Sequence, residues 1–165
     1  MSSSTPDPIR AAILTVSDSC SRGEKADLSG PAVVEALESH KFHVIERAIV
    51  PDEIGAVQEK LIALCGCARL VVTTGGTGIA PRDVTPEATR AVCDRLIEGI
   101  AEQMRAEGKR KTPFAALSRA VCGARGTSLI LNLPGSPTGA VESFQAVADL
   151  LPHALDLLAG KTKHE

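Results

Sequence analysis

The sequence predicts an α/β domain in three layers, a mostly parallel, mixed sheet flanked by helices. Three observations carry that expectation. Strand-like apolar runs alternate with segments whose hydrophobic residues recur at three- and four-residue spacing. The strands read as apolar on both faces, as they must when helices cover a sheet on both sides. The connections are short, which suits strands and helices that alternate around one core.

In chain order, residues 11–16 (AAILTV) predict a buried first strand that ends in the polar loop 17–23 (SDSCSRG). Gly30-Pro31 opens a helix with Val33, Val34 and Leu37 on one side. Residues 42–50 predict a second strand. A helix begins just after Pro51, with Ile54, Val57, Leu61 and Leu64 on one apolar face and Gly66 as its stop. Residues 70–74 are the third strand. Thr85-Pro86-Glu87 reads as an N-cap, a proline at the first helical position and an acid in the first turn, opening a helix to about Glu107 with Gly99 as its weak point. Residues 121–124 and 128–133 predict two strands joined through Arg125-Gly126, a hairpin that makes the sheet mixed. Val141, Phe144, Ala148, Leu151, Leu155 and Leu158 keep helical spacing to the end, and Pro152 kinks or restarts that helix. With no internal repeat and no linker, residues 10–160 are read as a single domain between tails at 1–9 and 161–165.

Composition narrows the function. The 165 residues are 44% hydrophobic, enough for one sizeable core. That core is aliphatic, because there are three Phe and no Trp or Tyr, which weighs against modules that stack nucleic-acid bases on aromatic rings. A net charge of −2 gives no electrostatic footprint for DNA or an anionic membrane. It leaves open a small anionic ligand held by local geometry. No apolar run reaches membrane-span length, and the N-terminus lacks the basic and apolar regions of a signal peptide. Cys20, Cys65, Cys67, Cys93 and Cys122 are odd in number and form no C-x-x-C. They read as small buried hydrophobes, reduced as in the cytoplasm.

Ligands of such sheets sit beyond the carboxyl ends of the strands. The segments leaving those ends are Ser17-Asp18, residues 50–52, residues 75–83, and residues 133–136, so four polar or glycine-rich turns are expected to face one side. The third is Gly75-Gly76-Thr77-Gly78, then Pro81, Arg82 and Asp83. Each ordered glycine costs about 0.5–1 kcal/mol against alanine, so three in four residues point to positive φ or close approach of a ligand. Exposed backbone amides in such a turn can cradle an anion; a tight strand-to-helix turn explains the same residues. No lysine follows, so a P-loop fails, and proline stands at the last place of a would-be G-x-G-x-x-G.

An acid beside a phosphate loop makes sense if a divalent cation lies between them, since Mg²⁺ is held by one or two carboxylates plus substrate phosphates. Asp83 and Asp52 are the two candidates. Each is equally placed to serve the N-terminus of the helix that follows it, and spacing does not choose. Arg82 is placed either to touch a phosphate or to hold the turn. Ser118 has no histidine positioned to activate it, so it reads as a hydrogen-bonding group and not a hydrolase nucleophile. His40, His43, His153 and His164 read as surface or packing residues.

The segments TVSDS (15–19), SGP (29–31), VPDE (50–53), TTGGTGIAPRDVTPEAT (73–89), TPFAALSRAVCG (112–123), RGTSLILNLPGSP (125–137) and LPHALDLL (151–158) resemble, in order, the molybdopterin adenylyltransferase family. The similarity spans roughly residues 10–158 and includes the G domain of gephyrin. The resemblance implies a fold of the molybdenum-cofactor-biosynthesis type. It also implies a reaction in which molybdopterin and Mg-ATP give adenylyl-molybdopterin and pyrophosphate. It puts the family's essential acids at Asp52 and Asp83, as catalytic and Mg²⁺-binding groups. It puts substrate binding at Ser17, Asp18, Gly75, Gly76, Thr77, Gly78, Ser118, Pro134, Gly135 and Ser136. A homotrimer is implied, and a separate molybdenum-insertion protein as partner. Leu28 stands after Asp27 where the family often has a basic residue, with Arg22 as the nearest substitute. A pterin-binding module or trimeric scaffold without adenylyltransferase activity is the alternative; a nucleotide hydrolase has little support without a P-loop or general base.

Overall fold

The computed structural model describes residues 4–161. Its sheet has six strands among those residues: β1 (Arg10–Val16), β2 (His43–Val50), β3 (Leu70–Thr74), β4 (Arg95–Leu96), β5 (Cys122–Arg125) and β6 (Ser128–Leu133). The spatial order is β2-β1-β3-β6-β5-β4. The first four strands run parallel, and β5 and β4 are antiparallel additions at one edge. The helices are α1 (Asp18–Ser21), α2 (Ser29–Ser39), α3 (Ile54–Cys65), α4 (Thr85–Val92), α5 (Glu98–Lys109), α6 (Pro137–Val147) and α7 (Leu151–Leu158).

Strand side chains alternate between the two faces, so β1 splits its residues between two cores. Ala11 and Ile13 join Val33, Leu37, Met104, Phe144 and Leu151 under α2, α5, α6 and α7. Ala12, Leu14 and Val16 join Val57, Leu61, Leu64, Ala88 and Val92 under α3 and α4. These are the expected three layers. The chain leaves β1 into α2 on one face and leaves β3 into α4 on the other, so a crevice opens at the carboxyl ends of these neighbouring strands.

Four local expectations are corrected. The helix expected from 85 to 107 is interrupted: Asp94 N donates to Ala124 O and Ile97 N to Cys122 O, so the β5 ladder captures 95–96 as a short edge strand. Thr85 is the first helical residue, not the N-cap, and its hydroxyl donates to Gly75 O at 2.9 Å. The loop after β1 contains the single turn α1, with Ser17 Oγ accepting from Cys20 N. The edge strand β2 is not apolar on both faces. None of its residues is buried, and a register shift opposite Ala11/Ala12 leaves Ile45 without a partner. A bulged edge of this kind resists pairing with another chain. The hairpin forms as expected, with Gly126 at φ 57°, and Pro152 restarts the last helix as α7. Residues 1–3 and 162–165, with His164, lie outside the described residues.

Candidate functional site

The four turns that leave the carboxyl ends come together. Asp18 N donates to Asp52 Oδ2 at 2.8 Å and Asp52 N donates to Asp18 Oδ1 at 3.0 Å, a reciprocal pair that locks the turns after β1 and β2. Ser17 N adds a bond to Val50 O, and Gly75 N bonds Leu133 O, bringing in the turns after β3 and β6. Asp52 therefore spends its carboxylate on Asp18 and not on a helix cap; the residue before α3, Glu53, makes no side-chain cap.

Positive φ and close approach of the protein's own atoms account for the glycines of 75–78. Gly75 and Gly76 have φ of 91° and 68°, a left-handed region that penalises a side chain by roughly 1–2 kcal/mol. A Cβ on Gly75 would run into Val16 O, and one on Gly76 into Thr85 Oγ1, with Asp52 Oδ1 3.3 Å away. At Gly78 a Cβ would lie 2.8 Å from Asp83 Oδ2. Both carboxylates thus close on the bare Cα atoms of this loop.

The two acids keep oxygens available. Asp52 Oδ1 accepts no hydrogen bond among the described residues. Asp83 Oδ2 accepts from Ala80 N at 2.9 Å, which shapes the turn, while Oδ1 takes none. Burial pushes the Asp52 carboxyl above its ordinary value, and the charges of Asp18 and Asp83 push the same way; the bond from Asp18 N and the charge of Arg82 oppose the shift. Arg82 forks onto Asp18, Nε to Oδ2 at 2.6 Å and Nη2 to Oδ1 at 3.0 Å. That hydrogen-bonded guanidinium holds Asp18 below the usual carboxylate range. Arg82 thus holds the turn, and its exposed side chain stands at the site's rim.

Two cavities adjoin the loop. The larger, about 720 Å³, is lined by Gly76, Thr77, Gly78, Asp83, Phe114 and Ser118, among others. The smaller, about 480 Å³, lies between the ends of β1 and β3 and is lined by Thr15, Ser17, Lys25, Asp27, Thr74 and Gly75, among others. Gly135 and Ser136 line both, so the PGS turn is their shared wall. Ser136 also caps α6, its Oγ accepting from Gly139 N. Ser118 is carried to the loop by Arg119 N, which donates to Thr77 O at 2.8 Å; its Oγ accepts from Ala120 N at 3.2 Å, leaving its proton free to donate.

Several participants escaped sequence reasoning. Asp27 accepts from Thr15 Oγ1, Ser29 Oγ and Gly30 N, and with Thr74 these groups form a satisfied polar floor to the smaller cavity. Asn132 accepts from Val121 N and donates to Thr73 and Thr89, all within the core. Its sequence signal was an amide inside the run LILNL. Arg22 does not take the place left by Leu28: it pairs with Glu24 in solvent. His40, His43 and His153 line neither cavity; His40 packs edge-on against Phe144.

The donor set suits a hard, phosphate-bound cation. Two carboxylates offer one free oxygen each, and among the described residues no group of three or more His, Cys, Asp or Glu is placed to hold a metal ion by itself. Mg²⁺ completes its shell in such places with water and substrate phosphates.

Comparisons with known proteins agree with this architecture. A family model described as "Probable molybdopterin binding domain" matches residues 12–153. The molybdopterin adenylyltransferase of Helicobacter pylori is 42% identical over 92% of this chain and 89% of its own length. The molybdenum cofactor synthesis protein cinnamon of Drosophila melanogaster is 41% identical over 92% of this chain, which spans 26% of that larger protein. The crystal structure of the molybdopterin biosynthesis enzyme MoaB from Thermus thermophilus superposes with a TM-score of 0.87 at 52% identity, covering 93% of this chain and 98% of its own.

Proposed function

This chain belongs to the molybdopterin-binding domain family, and we propose that it adenylylates molybdopterin with ATP in molybdenum cofactor biosynthesis. One observation supports the reading above the others: two cavities meet at a single glycine loop, and two carboxylates with free oxygens close on that loop. That layout suits a two-substrate transfer between phosphates.

In the reaction an oxygen of the molybdopterin terminal phosphate bonds to the α-phosphorus of ATP. The bond from that phosphorus to the oxygen bridging to the β-phosphate breaks, and pyrophosphate leaves with the electron pair. Little covalent chemistry is asked of the protein, so positioning and charge neutralisation carry the catalysis. Molybdopterin takes the larger cavity, with Ser118 donating to its polar groups and Phe114 at its mouth. The nucleotide takes the smaller cavity, where Lys25 suits a phosphate. Gly75, Gly76, Thr77 and Gly78 bring backbone close to the phosphates. Pro134, Gly135 and Ser136 set the distance between the two substrates, while Ser17 and Asp18 hold Asp52 in place. Asp52 and Asp83 are the residues that would hold Mg²⁺, which when bound supplies positive charge to the phosphates.

The remaining parts of the reading are a homotrimer, cytoplasmic work consistent with unpaired thiols, and hand-over of the product to a separate molybdenum-insertion protein. No helix among the described residues is long and apolar enough to cross a membrane. The test is direct. Purified protein incubated with molybdopterin, Mg-ATP and pyrophosphatase should yield adenylylated pterin. Pterin binding by calorimetry with no ATP-dependent product would defeat the enzyme reading and favour a binding module. A monomer mass by light scattering would defeat the trimer.

A further inference from the structure

We propose that Arg119 is a positioning residue for this reaction, a clasp that fixes Asp83 and the glycine-loop amides without touching substrate. The inference rests on the adenylyltransferase reading of the site. Arg119 Nε donates to Gly78 O at 2.7 Å, and Nη2 donates to Asp83 O at 2.8 Å. Nη1 pairs with Glu87 in the first turn of α4. Its own backbone N–H holds Thr77 O at 2.8 Å. One guanidinium therefore bridges both ends of the segment 78–83 and anchors the helix beyond it.

Inside that segment, Asp83 N bonds Ala80 O and Asp83 Oδ2 accepts from Ala80 N, so the turn is rigid within itself. Thr85 closes the base of the loop, its N–H on Gly76 O and its hydroxyl on Gly75 O, and the planar fork adds the direct tie between Gly78 and Asp83. The separation it sets is the one that brings the Asp83 carboxylate against the bare Cα of Gly78. Arg119 is itself held from behind. Arg105 Nη1 donates to Ala120 O at 3.0 Å and, at 3.5 Å, to Ser118 O, which steadies the strand-leading segment on which Arg119 sits. Each of the three Arg119 side-chain nitrogens donates to a protein oxygen and the residue lines neither cavity, so its contribution is geometric. A lysine offers a point charge and no fork, and cannot span both carbonyls.

The full chain carrying Arg119→Lys and Arg119→Ala tests this by two readouts. The first is kinetic. We expect kcat to fall about tenfold for Lys and about 100-fold for Ala, the scale of a displacement near 1 Å. KM for molybdopterin should stay nearly constant, the Mg²⁺ concentration for half-maximal rate should rise, and millimolar guanidinium should restore part of the Ala variant's rate. The second readout needs no activity: amide hydrogen exchange in a peptide covering 75–83 should quicken in Arg119→Ala while peptides of β1 and β6 keep wild-type protection. Unchanged exchange in 75–83, or exchange quickened equally throughout the chain, would overturn the proposal. So would loss in KM alone. If the wild type forms no adenylylated pterin, the functional reading falls, and the exchange arm still decides whether Arg119 clasps the loop.

Discussion

The two ends of the sheet use polar groups differently. At the amino end of β6, polar side chains are spent mainly on backbone groups. Ser128 Oγ donates to the carbonyls of Cys65 and Ala68, Arg69 to those of Thr127 and Leu155, Arg125 to that of Val92, and Asp94 accepts from Gly126 N. Burial pushes the Cys65 and Cys93 thiols up to about 11 and that of Cys122, farther along β5, up to about 12, so they stay protonated and inert. At the carboxyl end Asp52 and Asp83 each accept a backbone N–H on one oxygen and keep the other open, while both oxygens of Asp18 are taken by Asp52 N and Arg82. Both ends are well ordered by hydrogen bonds. What separates them is where the part-used acids stand: Asp52 and Asp83 close on the glycine loop, whereas Asp94 is exposed beside the hairpin.

The sharpest way to break this contrast is Asp83→Asn. It should lower turnover by about 10²–10³-fold, the scale of losing a group that stabilises developing charge, while calorimetry still finds pterin binding. Full activity would remove the metal role. Next comes a matched pair of glycines with positive φ. Gly126→Ala in the hairpin has open space around it and should cost about 1 kcal/mol from the backbone alone. Gly76→Ala meets Thr85 Oγ1 as well, and should cost about 2–3 kcal/mol by denaturant unfolding and abolish adenylylation. Equal costs would mean the carboxyl-end loop is not specially crowded.

Asp52→Asn probes charge. The Asp52 carboxyl is raised in the folded protein, so the stability it lends is present below its unfolded value near 3.9 and is lost as pH rises through the folded value. The amide variant should therefore gain on wild type between pH 4 and 7. The gain should be only a few tenths of a kcal/mol given the group's exposure, about 1 °C by calorimetry, alongside lost activity. A gain that grows toward low pH would reverse the assignment. The smallest effect is chemical: at pH 8 a maleimide should label exposed Cys67 well before Cys65, Cys93 or Cys122 in the native state, read by mass spectrometry.

The sequence made the sheet legible wherever one element's own residues decided the matter. Arg125-Gly126 announced the hairpin, and the β-branched run at 70–74 announced β3. It was silent on β4, two residues drawn into the sheet by the carbonyls of Ala124 and Cys122. The turns at Asp52 and Asp83 were legible because acids beside glycines after a strand are conspicuous. Their fixing was not: Asp18 and Asp52 are 34 residues apart, and Arg119 stands 36 from the Asp83 carbonyl it grips. Such bonds exist only once the sheet is assembled, and the periodicity of a single element does not record them.

The reciprocal bonds between Asp18 and Asp52 have a consequence for regulation by folding. Asp52 hangs from the end of β2, the edge strand with no buried residue. The acid thus hangs from the outermost parallel strand, while its partner Asp18 follows the neighbouring strand β1. Transient detachment of that edge would carry Asp52 away and silence the site, at the expense of Val44, Ala48 and Val50 at the margins of the cores but of none of their buried residues. The molecule would then be dark to its substrates well before it is denatured.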